Sequence, residues 1–123
     1  MSKKIIFGID FDDTITADEA LMLQLIRCIV RAKHKVYIVT ARDEERQDNT
    51  DILMFLNRLP PDHVVDVIYC SAKSKIAVTR DLGIKVDIWW DDFPELLVLG
   101  LDKARNVRSQ LWRDHPVENK KHK

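Results

Sequence analysis

The stretch IIFGIDFDDTIT, residues 5–16, runs a short apolar segment straight into three aspartates, Asp10, Asp12 and Asp13, within four positions. Carboxylates that close repel one another and shift each other's pKa, so the cluster costs stability unless something offsets it. A bound cation does so, as does a reaction that uses one charged and one neutral carboxyl group. Further along, Thr40-Ala41-Arg42 follows the run VYIV, Lys73 and Lys75 follow VVDVIYC, and the pair Asp91-Asp92 follows VDIWW. A hydroxyl, an ammonium and two more carboxylates recur just past an apolar run each time.

Those runs are the elements that must position the polar groups. Residues 4–9, 36–40, 64–70 and 86–90 are short and almost continuously apolar, the pattern of strands covered on both faces. Between them, Leu21, Met22, Leu25, Ile26, Ile29 and Val30 recur at helical spacing behind a capping-box pair, Thr16 and Glu19. A second helix carries Ile52, Phe55, Leu56 and Leu59 and stops at Pro60-Pro61. A third runs from about Ser74 to Leu82-Gly83, and FPELLVLG, with Pro94 near its start, forms a short fourth. A weak fifth strand is expected around Asn106–Arg108.

Strands alternating with helices predict right-handed βαβ units. The expected fold is α/β, a three-layer Rossmann-like parallel sheet in the order 3-2-1-4-5, flanked by helices and without a cap domain. Ligands of such sheets bind beyond the carboxyl ends of the strands, which is where every polar group named above lies.

The 123 residues fit one domain, 1–110, followed by a charged tail, 111–123. Twenty Lys and Arg balance twenty Asp and Glu, which removes any global charge argument for nucleic-acid or membrane attraction. No apolar run approaches the ~20 residues of a membrane span, and MSKKIIFG enters a strand without a small-residue cleavage site. Cys28 and Cys70 lie far apart with no histidine at ligand spacing, so they read as reduced thiols of a cytoplasmic protein. His34, His63, His115 and His122 share no ligand spacing and read as surface residues. Trp89 and Trp90 alternate across the fourth strand, which favours core packing over base stacking.

Taken in order, the motifs resemble those of the haloacid dehalogenase superfamily of phosphatases. Asp-x-Asp-x-Thr appears as DFDDT (10–14), a Thr ending a hydrophobic strand as VYIVT, a Lys opening a helix as KIAVTRDLGI, and an acidic pair closing a strand as IWWDD. The similarity covers residues 4 to 100. It departs from the family pattern where many members have Gly and this chain has Asp13, in an acidic pair that is adjacent rather than spaced, and in gaps too short for a cap domain.

The resemblance implies a Mg²⁺-dependent phosphohydrolase that cleaves phosphate monoesters through an aspartyl-phosphate. Asp10 becomes the nucleophile and Asp12 the general acid and then base. Thr40 becomes a donor to a phosphoryl oxygen and Lys75 the neutralising cation, aided by its helix start, with Lys73 the alternative. The implied metal ligands are the Asp10 side chain, the Asp12 main-chain carbonyl and Asp91, with Asp92 direct or through water. Thr14 and Arg42 stand on the substrate side, although Arg42 also reads as a solvated arginine in a charged loop and Asp13 as a turn residue. The substrate class extends from small phosphate monoesters to a phosphorylated nucleic-acid end, and a second copy of the chain could supply a lid. Two other readings use the same groups: a receiver-like phospho-acceptor domain, whose aspartate belongs after strand three, and a metal-dependent nuclease, which leaves Thr40 and Lys75 without a task.

Overall fold

The apolar runs form four strands, β1 (Ile6–Ile9), β2 (Lys35–Thr40), β3 (Asp66–Tyr69) and β4 (Ile88–Trp90). In the computed structural model, which describes residues 3–46 and 48–114, they pair in parallel in the order β3-β2-β1-β4. Helices α1 (Glu19–Arg31), α2 (Thr50–Asn57), α3 (Lys75–Asp81), α4 (Glu95–Val98) and α5 (Leu101–Asp114) complete a Rossmann-like α/β domain.

Side-chain alternation along β2 divides the core between the two sheet faces. Val36 and Ile38 pack with Met22 and Ile26 of α1 and with Ile52 and Phe55 of α2. Val39 joins Ile68 and Cys70 on the other face, where Val78 of α3 and Trp89 cover them. Trp90 returns to the first face, edge-on to Phe7 at 5.6 Å, so Trp89 and Trp90, both partly buried, pack against the core from opposite sides. Gly8 lies opposite Trp89, and a Cβ there would stand 2.9 Å from two ring carbons, so close packing of the indole requires glycine.

Three sequence-based expectations are corrected: the fifth strand, the capping-box pair and the surface placement of His63. Asn106–Arg108 lie inside α5, and the sheet has four strands among the described residues. The segment is helical because Leu101, Ala104 and Arg108 share a face that meets the domain. Ala104 is fully buried, and Arg108 stacks on Phe93 at 3.9 Å while bonding Glu95. α5 also carries order past residue 110 to Asp114; the rest of the expected tail, residues 115–123, lies outside the described residues.

The N-cap of α1 is Asp18, whose side chain accepts from the Leu21 N–H at 3.1 Å. Thr16 instead accepts from the Asp13 N–H at 2.8 Å and closes the preceding turn, so no Thr16–Glu19 box forms. The His63 ring is buried, with Nδ1 3.2 Å from Asp62, and His34 Nδ1 accepts from the Ile5 N–H; His115 and His122 lie outside the described residues. Both cysteines are free thiols, Cys28 exposed and Cys70 buried. No helix among the described residues is long and apolar enough to cross a membrane.

Candidate active site

Register assembles the first two carboxylates. Ile9 pairs with Trp90, so the residues that follow, Asp10 and Asp91, leave the sheet side by side, and the Asp10 N–H donates to the Trp90 carbonyl at 2.9 Å. The chain then makes a wide turn, Phe11–Ile15, closed by bonds from the N–H groups of Ile15 and Thr16 to the carbonyls of Asp10 and Phe11. Asp13 takes the left-handed conformation in that turn, φ 62°. Glycine occupies this region without strain, and Asp tolerates it better than most residues. That is the physical basis for either residue at this position.

Lys75 opens α3 and is fully buried. Its Nζ donates to Asp10 Oδ1 at 2.9 Å and to Asp91 Oδ2 at 2.6 Å. The other Asp91 oxygen accepts from the Phe93 N–H at 2.8 Å. The Ser74 side chain caps α3 by accepting from the Ala77 N–H and donates to the Leu97 carbonyl, which pins the helix start. Before it, Ser71 and Ala72 both have positive φ and hang from the loop after β2 through the carbonyls of Arg42 and Ala41. This turn leaves Lys73 exposed and directs Lys75 inward. Of the two lysines, Lys75 is the one in contact with the carboxylates.

Burial, opposed by Lys75 and reinforced by Asp92 and Asp91, pushes Asp10 up from its ordinary value of 3.8 to about 7. Burial works against the Lys75 ammonium, but Asp10 and Asp91 overcome it and the net shift is upward. The Cys70 thiol beside this group is raised by burial to about 11, the behaviour of an inert core cysteine.

Oxygen atoms of Asp10, Asp91 and Asp92 lie within 4.8 Å of one another. Three carboxylates so close, with one ammonium between them, retain excess negative charge, and oxygen-only donors suit a hard divalent cation such as Mg²⁺. Thr14 ties the two loops together: its hydroxyl lies 3.3 Å from Asp10 Oδ2 and 3.4 Å from Asp92 Oδ1, and it accepts from the Asp92 N–H at 3.2 Å. Thr40, fully buried at the end of β2, accepts from the Arg42 N–H at 3.2 Å.

The Asp12 side chain stands apart from the three-carboxylate cluster. Its Oδ2 accepts from Arg42 Nε at 3.0 Å and its Oδ1 from Arg42 Nη2 at 2.7 Å. Arg42 also grips Asp51 of α2 through Nη1 and Nη2, at 2.7 and 2.8 Å. It is therefore no solvated arginine. Asp51, Asn49 and Arg108 are site neighbours that the sequence did not mark: eight residues separate Asp51 from Arg42, and no periodicity links them.

The loops at this edge are short. Four residues separate Thr14 from α1 and nine separate Thr40 from α2. No family model, no curated protein and no solved structure matches the chain.

Proposed function

We propose that this chain is a divalent-cation-dependent phosphohydrolase of the haloacid dehalogenase type, cleaving phosphate monoesters through an aspartyl-phosphate at an open site without a cap domain. The observation that carries this reading is the fully buried Lys75 bridging Asp10 and Asp91, with Asp92 and Thr40 on the same sheet edge. Burying three charged groups of one network is costly as a stability device. It is what phosphoryl transfer asks of a protein: fixed charges and a held nucleophile.

In the proposed mechanism, an Asp10 oxygen attacks phosphorus and the ester P–O bond breaks. Asp12, released from Arg42 and carrying a proton from solvent, gives that proton to the leaving oxygen. A water then attacks the phosphorus of the aspartyl-phosphate while Asp12 accepts its proton, releasing phosphate and free Asp10. Lys75 holds the nucleophilic carboxylate in place, and Thr40 donates to a phosphoryl oxygen. Asp10, Asp91 and Asp92 would hold Mg²⁺, with the Asp12 carbonyl as the further candidate ligand. The bound ion supplies charge neutralisation between the carboxylates and the incoming phosphate. The substrate is a phosphorylated small molecule or nucleic-acid end, and a second copy of the chain is a candidate lid.

Incubation with 4-nitrophenyl phosphate and Mg²⁺ tests the reading. The expected result is steady turnover that EDTA abolishes and Asp10→Asn removes. Stoichiometric labelling from acetyl phosphate without turnover would place the chain with receiver-like acceptors, strand cleavage of DNA or RNA would place it with nucleases, and turnover that survives Asp10→Asn would refute the nucleophile.

A further inference from the structure

The guanidinium of Arg42 has five N–H donors, and the structure gives each an acceptor. Nε and one Nη2 hydrogen serve the two oxygens of Asp12; the other Nη2 hydrogen and one of Nη1 serve the two oxygens of Asp51; the remaining Nη1 hydrogen reaches Asn49 Oδ1 at 3.4 Å. The plane also lies over the Phe11 ring, 5.1 Å from its centroid, inside the turn that carries Asp12. Arg42 is 12% exposed, whereas Asp12 and Asp51 are about half exposed at 52% and 54%. A largely buried cation thus clamps two carboxylates of different elements, one in the turn after β1 and one in the first turn of α2.

We infer that Asp51 is a positioning residue for Asp12, acting through Arg42. The inference rests on the phosphohydrolase reading above and assigns a task to a residue outside its machinery. A paired guanidinium is planar and directional, so its orientation on Asp51 fixes where it presents Nε and Nη2, and hence where Asp12 rests. Asp51 also keeps the buried Arg42 partnered when the Asp12 side chain swings toward a substrate, so that motion leaves no orphaned cation. Asn49 and the Phe11 ring hold the same plane from two further sides. With its donors filled, Arg42 meets a substrate phosphate only by releasing one of these partners.

The test is a double-mutant cycle in the full chain with Mg²⁺, comparing wild type, Asp12→Asn, Asp51→Asn and the double variant. Two substrates are used: an alkyl phosphate, whose leaving oxygen needs a proton, and 4-nitrophenyl phosphate, whose leaving group does not. Misplacing a catalytic group costs on the order of tenfold to a hundredfold. Asp51→Asn is expected to lose kcat on the alkyl phosphate by about tenfold with little change in KM, and to leave the first-turnover burst on the aryl phosphate near wild type. Asp51→Glu is expected to recover part of the loss. The double variant is expected to be no slower than Asp12→Asn alone, because Asp51 acts only through Asp12. Additive losses, a rise in KM alone, or unchanged kcat on the alkyl phosphate would each overturn the inference. Wild-type protein without turnover, or turnover insensitive to Asp10→Asn, would remove the phosphohydrolase reading itself and the inference with it, a result distinct from the other three.

Discussion

Replacing Asp10 by asparagine removes one of three clustered carboxylates while nearly preserving shape, and its effect on stability separates two views of the Lys75 network. If the Asp10–Lys75 pair were a structural salt bridge, breaking it would leave a buried ammonium poorly answered and cost about 3–5 kcal/mol. The charge balance argues the reverse. Lys75 keeps Asp91 at 2.6 Å after the substitution, and Asp92 remains nearby. Burial, partly offset by Lys75, holds Asp10 near 7 rather than 3.8, so the folded protein binds that proton more tightly than the unfolded chain. A raised acid makes folding less favourable as pH climbs: the penalty is absent below about 4, grows between about 4 and 7, and is complete above. At about 1.4 kcal/mol per unit its ceiling is about 4 kcal/mol. Asparagine, neutral at every pH, escapes most of it. In EDTA at pH 8, urea unfolding should therefore find Asp10→Asn more stable than wild type by roughly 1–4 kcal/mol, shrinking to below about 2 kcal/mol at pH 5. Saturating Mg²⁺ should stabilise the wild type by about 3 kcal/mol at a hundredfold excess over its dissociation constant, and the variant much less. A metal-free variant destabilised by 3 kcal/mol or more, or an advantage equal at both pH values, would refute the argument.

Lys75→Ala should unfold at least about 3 kcal/mol more easily than wild type, because it leaves buried Asp10 and Asp91 facing each other, and should lose turnover; Lys73→Ala should match wild-type stability within about 0.5 kcal/mol. Equal losses for the two lysines in chemical denaturation and phosphatase assays would contradict the placement of Lys75. Asp13→Gly should keep activity and stability within about 1 kcal/mol, since φ 62° suits glycine, while Asp13→Val should destabilise the turn by more than 1 kcal/mol and slow turnover. A valine variant indistinguishable from wild type in thermal melts would show that the turn is not held as described.

The polar groups were legible because each lies at the exit of an apolar run, and a parallel sheet brings such exits to one edge. That rule and the strand assignments placed Asp10, Thr40 and Asp91 on the edge but offered Lys73 and Lys75 alike; only the resemblance favoured Lys75 and set Thr40 apart from an ordinary strand-end residue. The strand ends were less legible. Val64 and Val65 extend the apolar run before β3, yet Val64 is 64% exposed and pairing starts at Asp66, because hydrophobicity does not report which residues have a neighbouring strand. The helix over 101–114 escaped notice because most of its surface is polar and only Ala104 is buried. Thr16 and Asp18 are both competent caps, and the geometry of the preceding turn, not residue type, assigns each its donor. The Arg42 clamp was illegible for a different reason: its partners come from separate loops, and nothing in local patterning joins Asp12 to Asp51.

The most direct measurement is chemical identification of the phosphorylated residue. Protein turning over an aryl phosphate with Mg²⁺ is quenched in acid within a turnover, reduced with borohydride to trap any acyl phosphate, and mapped by peptide mass spectrometry. The account predicts an Asp10-derived homoserine that requires substrate and disappears in EDTA. Turnover with no modified carboxylate, or with the modification on a residue other than Asp10, would contradict it.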